Sequence, residues 1–377
     1  MFSSNPKLTR FERAALDERF NLADGHARNY LEQFWESYYR AGDVLSRSNS
    51  IPQHHIEGSF ISTFRECFGQ STLSIRQTLL LPSASLSLEL IANALRMQGR
   101  ITMLAPEPCF DNVIDIFRRH GCVLLPYSVE TDFAQDLITK LKTAEAAALL
   151  LVLPTNPTGH VIGERDFAAT VELCAERGVI LVVDASFRAF DPDLARWDMY
   201  SLLDSSNVSY AVIEDTGKLL ATHELKVSTL TCDSESVPLV ESIYEDILLA
   251  HSPLVVIALT DLLQKLGSSG LRSLARIAET NRHALRKTPL ARYITVPSPR
   301  GSVEWLRFEN GTHATDVMRR LAIAGVAVLP GHPFYWSGPR NEGYIRVALM
   351  RDSDYFLAAM RQVTEALSGN NQNSGRT

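Results

Sequence analysis

Residues 146–159 read AAALLLVLPTNPTG, residues 179–187 read VILVVDASF and residues 209–218 read SYAVIEDTGK. Each begins as an apolar run and ends in a polar cluster, the pattern of a strand buried on both faces with its chemistry at the carboxyl end. Between the first two, 163-GERDFAATVELCAERG-178 repeats apolar residues at helical spacing, opens on acidic residues and stops at Gly178. This predicts a strand-helix-strand unit. Upstream, 79-LLLPSASLSLELIANAL-95 and 101-ITMLAPEPCFDNVIDIFRRHG-121 continue the alternation. Residues from about 50 to 250 therefore predict an α/β fold with a mostly parallel sheet flanked by helices, its ligands at the strands' carboxyl ends.

After Pro253 the texture changes. The segment 253-PLVVIALTDLLQKLG-267 opens a long helical stretch, and 292-RYITVPSPRGSVEWLRF-308 and 344-YIRVALM-350 read as strands of a smaller α+β lobe. The expected division is an N-terminal helix and small-domain segment at 1–48, a large domain at 49–253, a small C-terminal domain at 254–368 and a flexible polar tail at 369–377. Residues 9–20 read as an amphipathic helix, which 21-NLADGHAR-28 interrupts at Gly25.

Composition narrows the partners. At 377 residues, 45% of them hydrophobic and 21% charged, the chain can bury a substantial core as one large domain plus a smaller one. Its net charge of −6 lacks the basic footprint that a phosphate backbone or an anionic lipid surface requires, so neither nucleic acid nor membrane is expected as a partner. Five cysteines without a CxxC or His-Cys cluster argue against a disulfide framework and against a metal site. No signal-peptide-like stretch and no apolar run of about 20 residues is found. A cytoplasmic location is the expectation.

The strongest chemical signal is the order of three strand ends. Asn156 sits in an NPTG turn, Asp184 ends an otherwise apolar strand, and Lys218 follows a third in EDTGK. A carboxylate at the end of a buried strand wants a cationic partner. A protonated pyridine nitrogen is such a partner, and a lysine facing the same crevice can form an imine with an aldehyde, which are the requirements of pyridoxal 5'-phosphate.

With those residues, the chain resembles the fold-type I, aspartate-aminotransferase-like pyridoxal-phosphate enzymes over essentially its whole length. The resemblance implies that Ser83, Ala84 and Ser85 hold the cofactor phosphate at a helix N-terminus, and that Phe110 stacks on the pyridine ring. It implies that Asn156 meets the ring oxygen, Asp184 the ring nitrogen and Lys218 the aldehyde carbon. Lys226 stands where such enzymes usually carry a phosphate-binding arginine, and Arg346 matches the arginine that binds an amino acid's α-carboxylate.

Two departures set the chain apart from an ordinary aminotransferase. Phe187 stands where a tyrosine usually donates to the ring oxygen, a loss that Ser186 can only partly replace. In 215-DTGK-218, Asp215 replaces a phosphate-binding hydroxyl, and a carboxylate beside a phosphate would be repelled, so Asp215 is expected to face a cation on the substrate. Here the sequence resembles a narrower group, the pyridoxal-phosphate-dependent L-arginine oxidases and hydroxylases of enduracididine-type and related secondary-metabolite pathways. The segments that carry this are 9-TRFE-12, 22-LADGHAR-28, 184-DASFRAFD-191, 213-IEDTGKL-219 and 244-YEDILLAHSPL-254.

That resemblance implies oxidation of L-arginine by O2, without metal or flavin. The implied products are a 2-oxo acid, hydroxylated at C4 in the hydroxylases, with ammonia and hydrogen peroxide. It also implies a homodimer and an N-terminal lid, whose Thr9, Glu12 and Asp24 would join Asp215 and Arg346 in binding substrate. His26 would position or deprotonate the water that becomes the C4 hydroxyl, since imidazoles change charge near neutral pH. The alternatives are a desaturating oxidase without hydroxylation, an ordinary class I/II aminotransferase and a hydroxyarginine cyclase. A pyridoxal-phosphate-binding regulator would need a DNA-binding domain for which the chain has neither spare length nor basic charge.

Overall fold

Ala148–Val152, Ile180–Asp184 and Tyr210–Asp215 are adjacent parallel strands in the computed structural model. The structure describes residues 7–28, 41–70, 77–130, 133–191, 193, 197–222, 225–294, 300–308, 313–338 and 341–368. A short strand β1 (Phe20–Asn21) precedes a seven-stranded sheet of β2 (Thr78–Leu81), β3 (Thr102–Glu107), β4 (Val123–Ser128), β5 (Ala148–Val152), β6 (Ile180–Asp184), β7 (Tyr210–Asp215) and β8 (Ser228–Cys232). The spatial order is β2-β8-β7-β6-β5-β3-β4, and β8, antiparallel to both neighbours, is the one reversed strand in that sheet.

The apolar runs are continuous because helices cover both faces. Along β5, Leu150 and Val152 join the core under helices Ala84–Met97 and Asp111–Arg119, whereas Leu149 and Leu151 face helices Phe133–Thr143 and Glu164–Arg177. Helix Glu164–Arg177 ends where predicted. Gly178 takes the left-handed conformation at φ 63°, which a residue without Cβ adopts at little cost.

The second lobe holds β9 (Val303–Arg307), β10 (Val326–Ala327), β11 (Leu329–Pro330) and β12 (Tyr344–Ala348). β11, β12 and β9 form an antiparallel sheet. The predicted strand over 292–308 is shorter than expected: Pro289–Tyr293 is a 3-10 turn, the strand spans Val303–Arg307, and 295–299 lie outside the described residues. The predicted tail at 369–377 also lies outside them.

Helix Pro253–Leu285 bends at Gly267, where φ is 55°. By length and composition alone it could cross a membrane, although the sequence holds no uninterrupted apolar run of that length. Its Val256, Leu259 and Leu263 instead share a core with Phe60 and Phe64 of helix Gln53–Cys67.

The N-terminal segment departs most from expectation. The α-helix covers only Leu8–Ala14, a 3-10 turn follows at Ala15–Asp17, and β1 then pairs in parallel with β10. Leu8 is fully buried beside Trp305 and Phe334, and its amide donates to Asp111 Oδ2 at 2.9 Å. Lys7 pairs with Asp115 at 2.9 Å.

Residues 22–28 form a buried loop rather than a solvated turn, and the reason is Arg351. That guanidinium, 1% exposed, donates to the carbonyls of Asn21 at 2.6 Å, Asp24 at 2.6 Å and His26 at 2.8 Å. Asn21 Oδ1 accepts from the amides of Ala23 and Asp24, both at 3.1 Å.

Arg351→Met should leave these carbonyls buried and unpaired at about 1–3 kcal/mol each. Chemical denaturation should show the loss of stability, and amide exchange should quicken selectively at 22–28. Uniform protection there would refute the clamp.

A second expectation concerns Asp111. Burial pushes its carboxyl up from 3.8 to about 6, against the opposing hydrogen bond from Leu8. Between those pH values the folded chain holds a proton that the unfolded chain has released, so this group adds stability as pH falls from about 6 towards 4. Asp111→Asn should flatten that component, measured as the difference in denaturation midpoint between variant and parent across this range.

Candidate active site

The carboxyl ends of β5, β6 and β7 open into a cleft of about 860 Å³. Every residue expected from sequence lines it except Asp24. Asp184, the last residue of β6, accepts from the Ser186 amide at 3.0 Å and the Ser186 hydroxyl at 2.5 Å, both through Oδ1. Burial pushes its carboxyl up, while those hydrogen bonds and the Lys218 charge pull it back. Among the described residues no cation lies within ion-pair distance of it.

Lys218 ends a 3-10 turn, Thr216–Lys218, immediately after β7. Asp215 Oδ1 caps that turn by accepting the Gly217 amide at 2.6 Å. Gly217 is needed for space: a Cβ there would stand 3.0 Å from Asp215 Oδ1 and 3.1 Å from Lys226 Cδ. The Lys218 amine lies 3.4 Å from His26 Nε2 and 5.9 Å from the centre of the Phe187 ring.

His26 is oriented from behind. Its Nδ1 lies 2.7 Å from Asp24 Oδ1, which also accepts the His26 amide at 3.0 Å, while Arg28 Nε donates to Asp24 Oδ2 at 2.7 Å. Burial works to raise the Asp24 carboxyl, but the bonds from His26 and the charge of Arg28 outweigh it and hold the group well below the usual carboxylate range. At 4% exposed, Asp24 sits behind the cleft wall. Expected at the substrate, Asp24 instead holds His26 in the structure and does not itself line the cleft.

Arg346 is buried, and its Nη2 donates to the Ala23 carbonyl at 2.6 Å and Glu12 Oε1 at 3.2 Å. Its Nη1 donates to Asn156 Oδ1 at 3.3 Å, which leaves the Asn156 amide nitrogen free to donate. Arg346 Nε is buried without a partner. Burial pulls this guanidinium down, with Glu12 opposing. Gly25 packs against this guanidinium, and a Cβ there would lie 3.5 Å from Arg346 Nη2, at van der Waals contact.

At the opposite wall, Ser83 caps helix Ala84–Met97 by accepting the Leu86 amide at 3.3 Å. Ser83, Ala84, Ser85 and Lys226 together line the cleft around this helix N-terminus, a favourable seat for a phosphate. Phe110 offers an aromatic wall, edge-on to Phe334 with centroids 5.9 Å apart.

Pyridoxal phosphate fits this donor set. Asp184 supplies a carboxylate lacking a cation, Asn156 a free donor, Lys218 an amine, Phe110 a ring face and the helix N-terminus with Lys226 a phosphate seat. Two contributors escaped sequence reading. Asn112 Nδ2 donates to Ser85 Oγ at 3.0 Å, and Arg351 anchors the loop that carries His26. Neither stands in a recognisable motif. Both act through contacts distant in sequence.

The fold and cleft define a fold-type I, aspartate-aminotransferase-like enzyme. The match to the class I and II aminotransferases spans residues 43–360, and the chain belongs to that family. Among solved structures it is similar to MppP soaked with the product 2-ketoarginine, at 29% identity over 91% of this chain and 98% of that one, with a TM-score of 0.79. LysN, the α-aminoadipate aminotransferase of Thermus thermophilus, is 21% identical over 95% of this chain and 94% of that one, with a TM-score of 0.77. A 2-aminoadipate transaminase of Thermus thermophilus is 23% identical over 304 residues, covering 78% of this chain and 76% of that protein. Pyridoxal phosphate is the cofactor expected of the family.

Borohydride reduction of the holoenzyme should fix a pyridoxyl group on the peptide containing Lys218, and the label should be absent from Lys218→Ala. Finding it on Lys226 would overturn the assignment.

Proposed function

We propose that this enzyme oxidises L-arginine with O2 and hydroxylates it at C4. The observation that carries the reading is the chain of contacts Asp24–His26–Lys218, which brings an N-terminal imidazole against the amine that meets the cofactor. The likeness to MppP, at 29% identity, supports it. One arginine, two O2 and two waters would give 4-hydroxy-2-oxoarginine, one ammonia and two hydrogen peroxide. Bound at Asp184 and Lys218, pyridoxal phosphate supplies the electron sink for charge developing at Cα.

The residues divide the remaining work. Arg346 holds the substrate α-carboxylate, which takes the place of Glu12 on its guanidinium. Lys218 takes the Cα proton. Asp24 keeps His26 Nδ1 engaged, so Nε2 faces Lys218 and can take a proton from a water that adds at C4. The free oxygens of Asp215 and Glu12 receive the guanidinium. Phe187 removes the phenol expected at its position and leaves an apolar wall by the amine. A cytoplasmic homodimer completes the proposal.

An oxygen electrode and product mass spectrometry with L-arginine test it. Oxygen uptake with a hydroxylated 2-oxo acid supports the reading. Amino transfer to an added 2-oxo acid without oxygen uptake would make the protein an ordinary aminotransferase. In His26→Ala, oxygen uptake should persist while unhydroxylated 2-oxo acid accumulates; an unchanged product ratio would sink the role given to His26.

Asp215→Asn leaves a buried cation with one partner fewer. That typically costs about 2–5 kcal/mol, so KM for arginine should rise on the order of 30-fold or more while cofactor affinity changes little. Equal turnover of citrulline, which is uncharged, would count against guanidinium recognition.

A further inference from the structure

A second, smaller cavity lies across Ser186 and Asp215 from the cleft, since both residues line both spaces. Its other walls are mainly apolar: Phe64, Phe68, Ala189, Leu263 and Leu271. About 20 Å³ is free there for the centre of a water-sized molecule, above the roughly 10–15 Å³ that one such molecule needs.

The polar groups on its wall are engaged elsewhere. Ser186 Oγ donates to Asp184, and Asp215 Oδ1 takes the Gly217 amide. Glu214 is held by Arg188 and by the Tyr200 hydroxyl at 2.6 Å, and Thr216 Oγ1 accepts the Val227 amide at 2.9 Å. A water would need about 2–4 polar partners to be stable in a buried site, and the one carboxylate oxygen on this wall without such a bond is the second of Asp215, which the proposed function gives to the substrate guanidinium. A small apolar molecule needs none.

We propose that this cavity is a dioxygen site that feeds the cleft past Ser186 and Asp215. The inference rests on the oxidase reading, which requires O2 beside a cleft that arginine would fill and that the N-terminal segment lines. The cleft is lined with charge. The neighbouring cavity offers an apolar place for the gas within one residue of Asp184.

The test uses the holoenzyme. Crystals pressurised with xenon should show the gas between Leu271, Leu263 and Ala189. Ala189→Leu, which fills the space, should exclude xenon and raise KM for O2 about tenfold or more, with KM for arginine and the rate at saturating O2 unchanged. Leu271→Met, which conserves volume, should retain both xenon and the parent KM for O2, and so serves if Ala189→Leu fails to fold. Oxygen uptake by the parent with no xenon in the cavity, or an unchanged KM for O2 in folded Ala189→Leu, would overturn the gas site and leave the oxidase reading standing. No oxygen uptake with arginine would overturn both.

Discussion

A carboxylate at the end of a buried strand is the constraint on which the rest of this molecule depends. Asp184 cannot be left ionised among apolar strands without compensation, and its two bonds from Ser186 supply only part of it. The ring nitrogen of the cofactor expected of the family would supply a cation at this carboxyl. The parallel sheet brings the ends of β5, β6 and β7 side by side, so the acid, the Asn156 amide and the Lys218 amine converge on the same space although each is locally determined.

The N-terminal loop adds a second set of chemistry to this frame. Arg351 pulls the Asn21 carbonyl of β1 and two carbonyls of that loop onto β12's exit, and the loop in turn presents His26 to Lys218. The Asp24 carboxylate lies inside this arrangement, held ionised by His26 and Arg28. Carboxylate, imidazole and amine thus form a directed series in which each group fixes the next. Glu12 meanwhile pairs with Arg346 at its Nη2.

How much of this is legible in the sequence follows from the range of the interactions. The buried strands, the helix stop at Gly178 and the polar clusters at strand ends depend on neighbours within a turn or two, and periodicity reports them. The pairing of β1 with β10 and the docking of Leu8 on Asp111 do not, and so periodicity extends the first helix to residue 20. Motif membership likewise puts Asp24 in the substrate space, because it sits in the same short segment as His26. Residues adjacent in a loop point to opposite sides, and only the closed loop shows which.

By itself, then, the sequence determined the α/β class, the order of the strand ends and the residue types that suit pyridoxal phosphate, since each follows from local burial and local chemistry. Tertiary structure decided that His26 meets Lys218 across 192 positions, that Asp24 stands behind it and that an apolar cavity adjoins Ser186. Those outcomes depend on where separate lobes of one chain come to rest. Residue spacing along the chain carries no record of that distance, because it is set by the summed packing of helices and sheets between the two groups.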